Sequence, residues 1–302
     1  MTNSPFARAI AAIATPFDAD LGIDFDRLAA HGRWLFERGC DGLVLFGTTG
    51  EAASLSSAER QSALERLVAA GISADRIVVG TGCCAIPDTV ELTRHAAVTG
   101  CAGALVLPPF FYKGASEEGV ARYYDCVIAE CGTSLPPLYL YHIPQTAGVG
   151  VAPGVVERLV ARHGPKIRGY KDSSGNWSNT ASILERFPQL DVYVGSEALL
   201  VETLRAGGAG CISASVNVQP SAVRAVLDGW RSREADALQA VASAVRRALE
   251  KSGPLVSAVK AVLAAIHRHD GWTTTRPPLE AIGQAERENL FAELRGVGLE
   301  GL

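Results

Sequence analysis

Residues 167–175 read IRGYKDSSG, and this stretch decides the fold. A single lysine, Lys171, stands at the end of a short apolar run and immediately before a polar cluster that favours a turn. If the run is a strand of a barrel, the Lys171 ammonium is removed from water and can lose its proton. A neutral lysine amine attacks ketones, whereas the alternative is a surface lysine paired with Asp172.

Seven further runs of the same kind flank this stretch. Each is continuously apolar rather than alternating, which indicates strands that are covered on both faces. The eight runs cover residues 8–14, 42–46, 77–80, 103–107, 138–141, 167–171, 191–194 and 210–213. Since helical patterns separate them, we predict an α/β fold, the (β/α)8 TIM barrel. A doubly wound open sheet is the alternative, which the missing Gly-x-Gly-x-x-Gly after the first strand disfavours.

The strand signals stop after Pro220. Helical patterns follow over residues 221–229, 234–251, 254–269 and 279–294. The first of these can complete the barrel, and the others form an extension of a size that such barrels accommodate. We therefore expect residues 1–229 to form the barrel and residues 230–302 to form a C-terminal helical extension.

The composition excludes several classes of partner. The 302 residues are 48% hydrophobic and 20% charged, with a net charge of −4 and no densely basic stretch. We therefore expect neither nucleic acid nor an anionic membrane as a partner. Residues 1–14 lack the features of a signal peptide, and no segment has the length and hydrophobicity of a membrane span. The expected location is the cytoplasm.

Histidine and cysteine are dispersed rather than clustered. The sequence has six histidines and seven cysteines, with no Cys-x-x-Cys pair. His267 and His269 are two residues apart on a predicted helix, so their side chains face different directions. We expect no metal site and no cofactor.

Chemistry in such barrels takes place at the carboxyl ends of the strands, and four of these ends carry candidate residues. Thr48 and Thr49 follow strand two, where two hydroxyls and nearby amides can hold a carboxylate unless they only form a common turn. Strand five ends at Tyr141, whose phenol can move protons unless it is only a packed aromatic. Strand six ends at Lys171. Strand four ends in an aromatic cluster containing Tyr112, which suits a pocket wall, a subunit contact or core packing.

Together these groups fit one reaction. The Lys171 amine condenses with a 2-oxo acid, the threonine hydroxyls hold its carboxylate, and the Tyr141 phenol moves protons while a carbon–carbon bond breaks. The protonated imine draws electrons from that bond and is left as an enamine. This chemistry needs no metal.

Four motifs carry a family resemblance: GTTGE at 47–51, YHIP at 141–144, GYKD at 169–172 and GCISA at 210–214. In this order and spacing the chain resembles the dihydrodipicolinate synthase / N-acetylneuraminate lyase superfamily of class I pyruvate aldolases. The resemblance extends from ATPF at 14–17 to RPPL at 276–279, which is nearly the whole chain. It implies a (β/α)8 barrel with C-terminal helices, usually assembled as a homotetramer built from dimers.

The resemblance also implies roles for individual residues. Lys171 is the Schiff-base lysine and Tyr141 the proton shuttle, while Thr48 and Thr49 bind the pyruvate carboxylate and Thr48 is also counted among the catalytic residues. The residues expected to line the distal part of the substrate site are Gly195, Ser196, Glu197 and Ile212, together with the aromatic Tyr112.

Two departures distinguish this chain from the lysine-biosynthesis synthases that it resembles. Thr146 stands where those enzymes carry an arginine that grips the carboxylate of aspartate semialdehyde. A hydroxyl in place of a bidentate cation removes most of the affinity for a second carboxylate. Phe111, followed by Tyr112, stands where they carry a tyrosine borrowed across the dimer interface, and a phenylalanine cannot relay a proton. We therefore predict a function other than the lysine-pathway condensation, which stays as an alternative.

The loop after strand seven indicates the size of the substrate. Glu197 is followed by Ala198, where the sialic-acid lyases have an aspartate–glutamate pair, so a shorter polyol tail is expected. The paired threonines and the KDSSG of residues 171–175 resemble the aldolases of 2-keto-3-deoxygluconate. We predict reversible cleavage of a 2-keto-3-deoxy sugar acid to pyruvate and an aldehyde. The alternatives are a 4-hydroxy-2-oxoglutarate aldolase, with Lys113 as the cation for its second carboxylate, a deoxy-sugar-acid dehydratase, and a non-catalytic keto-acid-binding barrel.

Overall fold

The computed structural model describes residues 8–299 and residue 302. Within that part of the chain, short 3-10 turns link eight β-strands and twelve α-helices. The strands are β1 Ala9–Ala12, β2 Gly42–Leu45, β3 Ile77–Gly80, β4 Gly103–Val106, β5 Leu138–His142, β6 Ile167–Asp172, β7 Asp191–Val194 and β8 Gly210–Ser213. The helices are α1 Phe25–Glu37, α2 Ser57–Ala69, α3 Ile86–Val98, α4 Glu117–Cys131, α5 Pro144–Ala147, α6 Pro153–His163, α7 Trp177–Arg186, α8 Leu200–Arg205, α9 Pro220–Gly229, α10 Ala235–Lys251, α11 Leu255–Ile266 and α12 Gln284–Gly296.

The eight strands close into a parallel barrel in the order in which they occur along the chain. Each strand pairs with its sequence neighbours, and β1 also pairs with β8. The prediction of a (β/α)8 barrel is therefore confirmed, and all eight predicted runs contain a strand. Continuous apolar runs make such strands because one face packs inside the barrel and the other packs against the helices.

Large side chains fill the inside of the barrel. Val44, Tyr139 and Tyr193 belong to this interior cluster and are almost fully buried. Two strand glycines make room for Tyr139, because a Cβ at Gly103 or Gly169 would lie 2.7 or 2.5 Å from its ring carbons. The interior is thus packed below the mouth, as expected for a barrel of this size.

The helices cover the outside of the barrel through apolar faces. In α2, Leu64 and Leu67 belong to one buried cluster with Leu43 and Leu45 of β2. This helix begins at a capping box, in which Ser56 and Glu59 satisfy each other's backbone amides at 3.2 and 2.9 Å. Local sequence therefore determines where α2 starts, and burial of its apolar face attaches it to the barrel.

Three helices follow α9 and pack on the barrel mouth. The apolar side chains of α10, α11 and α12 form one buried cluster with Ala14 and Ala214, which lie beyond β1 and β8. The predicted helix over 279–294 was wrong at its start, since α12 begins only after Gly283. Leu279 instead accepts a hydrogen bond from Thr275 Oγ1 at 3.0 Å, which holds this segment in a turn. The domain boundary at residue 229 stays a prediction.

None of the helices in the described ranges combines the length and hydrophobicity that crossing a lipid bilayer requires. The expectation that residues 1–14 contain no signal peptide stays a prediction, and the first seven of these residues lie outside the described part of the chain.

Candidate active site

Lys171 points into the barrel from the end of β6. Its Cα lies opposite Tyr141 of β5 and Tyr193 of β7. The side chain is only 3% exposed, so the alternative of a surface lysine is wrong. Nor is Asp172 its partner, because that carboxylate accepts hydrogen bonds at 2.6 to 2.9 Å from the residues Ser174, Asn179 and Thr180.

Tyr141 and Thr48 lie beside this lysine. Lys171 Nζ is 4.1 Å from the centre of the Tyr141 ring, and Tyr141 Oη is 3.1 Å from Thr48 Oγ1. Burial raises the pKa of Tyr141, but the charge of Lys171 and hydrogen bonds from Thr48, Ser173 and Lys171 lower the pKa below its ordinary value. A phenol in this state exchanges its proton more readily than an ordinary tyrosine.

Glu51 stabilises the turn that carries Thr48 and Thr49 through contacts with the C-terminal region of the chain. Both Phe46 (φ 57°) and Glu51 (φ 55°) adopt the left-handed conformation, which non-glycine residues take up only where surrounding contacts hold them. The buried Glu51 carboxylate pairs with Lys260 of α11 and accepts the Arg276 amide at 3.1 Å. Helix α11 and the segment around Arg276 therefore fix the position of this turn.

These side chains open onto a cavity of about 360 Å³ at the barrel mouth. Six of the predicted site residues line it: Thr48, Thr49, Tyr141, Lys171, Gly195 and Ile212. Gly195 has to be a glycine here, because a Cβ would come within 2.0 Å of Ser173 Oγ. A larger cavity of about 520 Å³ lies between α1, α9 and α10, and none of these six residues lines it.

Three predicted site residues do not line the cavity. Glu197 is fully buried, and its carboxylate accepts hydrogen bonds from Ser213 and Gln219 at 2.6 Å and also from Ser215. Ser196 caps the following turn through the Ala198 amide at 3.4 Å. Tyr112 is 73% exposed and packs edge-on against Phe111, so it faces away from the cavity within this chain.

The cavity is also lined by residues that the sequence did not single out as substrate contacts. They include Gln145, Ser173 and Arg246, as well as Thr146, which the sequence marked only as a departure. Lys113, the cation considered for a second carboxylate, is exposed and does not line this cavity, whereas Arg246 of α10 does. No local signal in the sequence distinguishes Arg246 from Arg247, the other arginine on this helix.

Within the described residues, no group of three or more His, Cys, Asp or Glu side chains is arranged to hold a metal ion. His142 is buried beside the site, where its Nδ1 accepts the Val151 amide at 3.0 Å and its ring stacks on Tyr170. Burial lowers the pKa of His142, which suits a neutral ring in this structural role.

A buried lysine beside a tyrosine and two threonines, at the carboxyl ends of the strands of a (β/α)8 barrel, defines a site of the Schiff-base aldolase type. The comparisons with known proteins agree with this class. The model of the dihydrodipicolinate synthetase family matches residues 5–296, and the chain therefore belongs to that family. It is an enzyme of the lyase type.

Individual relatives and structures extend this result. An uncharacterized DapA-like lyase from Chloroflexus aurantiacus is 38% identical over 242 residues, which are 78% of this chain and 79% of that protein. Dihydrodipicolinate synthase from Agrobacterium tumefaciens is 32% identical with a TM-score of 0.91, over 96% of this chain and 99% of that one. A variant of 2-keto-3-deoxygluconate aldolase from Sulfolobus solfataricus is 25% identical with a TM-score of 0.85, over 96% of both chains.

Proposed function

We propose that this protein is a class I aldolase that reversibly cleaves a 2-keto-3-deoxy sugar acid to pyruvate and an aldehyde. The observation that carries the proposal is the cluster of Lys171, Tyr141 and Thr48 at the wall of one cavity. The structural likeness to a 2-keto-3-deoxygluconate aldolase supports it.

Lys171 and Tyr141 perform the first half of the reaction. The neutral Nζ adds to the C2 carbonyl carbon, and loss of water leaves a protonated imine. The Tyr141 phenol, 3.1 Å from Thr48 Oγ1, gives the proton that the departing hydroxyl needs. Its lowered pKa stabilises the phenolate that this transfer leaves, and the phenolate accepts a proton in the next step.

Bond cleavage follows from the imine. Tyr141 removes the proton of the C4 hydroxyl, the C3–C4 bond breaks, and its electron pair moves through C2 to the imine nitrogen. The products of this step are an aldehyde and an enamine on Lys171. Protonation of the enamine at C3 and hydrolysis of the imine release pyruvate and restore the lysine.

Thr48 and Thr49 hold the carboxylate of the substrate in this proposal. Their hydroxyls and the amides of the turn are donors that suit an anion, and the protonated imine on Lys171 adds a positive charge nearby once it has formed. Gly195 and Ile212 line the same cavity and would contact the distal part of the substrate. Ser196 and Glu197 act behind that wall, and Tyr112 reaches a substrate only if a second copy of the chain brings it there, as in the homotetramer that the family resemblance implies.

Thr146 bears on the choice between the sugar acid and aspartate semialdehyde. It lines the cavity, so a hydroxyl stands where the related synthases are expected to place an arginine. The Agrobacterium synthase is similar in fold and sequence, which keeps the condensation as a second candidate. The Arg246 guanidinium on the cavity wall favours another candidate, the 4-hydroxy-2-oxoglutarate aldolase, because that substrate has a second carboxylate.

Borohydride trapping tests the mechanism. Reduction of the imine in the presence of pyruvate, followed by peptide mass mapping, should show a pyruvate adduct on Lys171. The Lys171→Arg variant should give no adduct, and the matched variant of an exposed lysine, Lys166→Arg, should give the same adduct as the unaltered protein. Absence of the adduct from the unaltered protein would refute the imine mechanism.

The reaction outcome is tested on a panel of keto-deoxy acids. An aldolase releases pyruvate in step with the loss of the sugar acid. Consumption of the sugar acid without pyruvate would indicate a dehydratase, and product formation only from pyruvate with aspartate semialdehyde would indicate the synthase. Adduct formation without turnover of any of these substrates would indicate a keto-acid-binding barrel.

A further inference from the structure

Arg246 places a second positive charge on the wall of the active-site cavity. It lies in the middle of α10, outside the barrel strands, and lines the same cavity as Lys171 and Thr146. Its side chain is only 12% exposed, so the guanidinium is held in place rather than free in solvent. Among the residues that line this cavity, Lys171 and Arg246 are the two cationic ones, and none is a carboxylate.

Hydrogen bonds fix the orientation of Arg246. Nη1 donates to the Gly195 carbonyl at 3.3 Å and to Ser213 Oγ at 3.2 Å, while Nε donates to Glu250 at 2.7 Å. Ser213 is itself fixed, because its hydroxyl donates to the buried Glu197 at 2.6 Å. The guanidinium is therefore attached to the ends of β7 and β8, beside the distal wall of the cavity.

The bonds to Arg246 leave donor capacity and charge for a ligand. Within the described residues Nη2 makes no hydrogen bond, although a guanidinium has five N–H groups arranged to bind a carboxylate or phosphate. Glu250 is 48% exposed, so water screens its charge and it offsets that of Arg246 only in part. A buried arginine with a free face on a substrate cavity is a common arrangement for anion recognition.

We propose that Arg246 binds an anionic group at the far end of the substrate. The inference rests on the proposed aldolase function: Thr48 and Thr49 take the carboxylate next to the keto group, and Arg246 takes a second anion. It narrows the substrate to 2-keto-3-deoxy acids that end in a carboxylate or a phosphate, rather than in a hydroxymethyl group. Position 146 carries a threonine and no cation, and Arg246 supplies a cation to the same cavity from α10, a different element of the fold.

Three substrates that differ only at the far end test this assignment. They are 2-keto-3-deoxygluconate, 2-keto-3-deoxyglucarate with a terminal carboxylate, and 2-keto-3-deoxygluconate 6-phosphate. We expect the unaltered enzyme to have a higher kcat/KM on one or both anionic substrates than on the neutral one. Arg246→Gln should lower kcat/KM about 10- to 100-fold on the anionic substrates, mainly through KM, and much less on the neutral one, since a hydrogen bond to a charged group contributes that much. The anionic substrate with the higher kcat/KM shows whether Arg246 binds a terminal carboxylate or a terminal phosphate.

Two further variants complete the experiment. Arg246→Lys keeps the charge and should recover part of the anion preference, whereas the neighbouring exposed Arg247→Gln should leave all three substrates unchanged. An equal loss on all three substrates in Arg246→Gln, with no selective recovery in Arg246→Lys, would show that Arg246 only supports the Gly195 wall and would overturn the proposal. A preference of the unaltered enzyme for the neutral substrate would also overturn it.

Borohydride trapping separates this proposal from the function on which it rests. Arg246 does not touch the imine in this assignment, so Arg246→Gln should still form the pyruvate adduct on Lys171. A missing adduct in the unaltered protein contradicts the proposed function itself. An adduct in both proteins, combined with no change in substrate preference, contradicts only the role of Arg246.

Discussion

At the scale of single residues, the proposed chemistry depends on how the surroundings of Tyr141 alter the proton affinity of its phenol. Burial alone would hold the phenol neutral, and the pKa is lowered because the charge of Lys171 and the hydrogen bonds from Lys171, Thr48 and Ser173 outweigh the effect of burial. The same contacts orient Lys171, whose Nζ lies over the ring. Lys171 and Tyr141 therefore depend on each other: Lys171 lowers the pKa of the phenol, and the Tyr141 ring lies against the amine.

Tyr141→Phe tests this dependence. The variant keeps the ring and removes the hydroxyl, so we expect kcat to fall by about 10²- to 10⁴-fold, the usual contribution of a proton-transfer group. Tyr124→Phe is the control, because Tyr124 donates to the Val106 carbonyl at 3.0 Å from α4, outside the barrel. Steady-state pyruvate release measures both, and a kcat for Tyr141→Phe equal to that of the control would exclude Tyr141 as the proton shuttle.

At the scale of elements, a buried histidine links the first helix to the C-terminal region. His31 of α1 lies 3.0 Å from His267, just beyond α11, and 3.0 Å from Asn217 after β8. Burial, reinforced by the nearby His267, lowers the pKa of His31 to about 3, although the Asn217 hydrogen bond raises it. Folding therefore requires this ring to stay neutral.

The stability of this junction should depend on pH. Since the folded pKa lies below the unfolded value of 6.5, the unfolded chain binds the extra proton, and stability is lost as pH falls from 6.5 toward 3. Between about pH 6.5 and 5 the free energy of unfolding should decrease by up to about 1.4 kcal/mol per pH unit from this group. Denaturant unfolding at several pH values measures the slope, which His31→Gln should reduce; an unchanged slope would contradict the assignment.

At the scale of the whole molecule, two of the C-terminal helices, α10 and α11, are part of the candidate active site. Arg246 of α10 and the start of α11 line the cavity, and Lys260 of α11 holds the threonine turn through Glu51. Burial lowers the pKa of Lys260 to about 8, while the Glu51 carboxylate opposes this shift. Removal of these helices would therefore take away the cavity wall that contains Arg246. It would also remove the ion pair that supports the turn of Thr48 and Thr49.

Lys260→Met tests this connection. It leaves the buried Glu51 carboxylate without its cation, so we expect a loss of about 3–5 kcal/mol in the free energy of unfolding. The double variant Glu51→Gln/Lys260→Met should recover most of this loss, because no buried charge remains.

The control is Lys251→Met, which breaks an exposed pair with Glu293 at 3.6 Å and should cost less than about 1 kcal/mol in the free energy of unfolding. Chemical denaturation compares the three, and a double variant as unstable as Lys260→Met would show that charge is not the cause.

The sequence by itself determined the barrel and the position of Lys171 at its mouth, because both follow from local patterns. A continuous apolar run forms a strand wherever both of its faces are covered, and the polar residues at its carboxyl end then lie at the mouth. Lys171, Tyr141 and Thr48 were predicted in this way, each from its position at the end of one run. The start of α12 was not, since Thr275 and Leu279 hold a turn that no helical period reports.

Only the tertiary structure decided which side chains line the part of the cavity that is distant from Lys171. Glu197 and Ser196 follow a strand end in sequence, yet packing turns the Glu197 carboxylate inward onto Ser213 and Gln219. Arg246 lies far along the chain on an amphipathic helix, where a charged residue usually faces solvent. It reaches the cavity because α10 packs across the ends of β7 and β8, and such long-range packing depends on contacts that no local pattern contains.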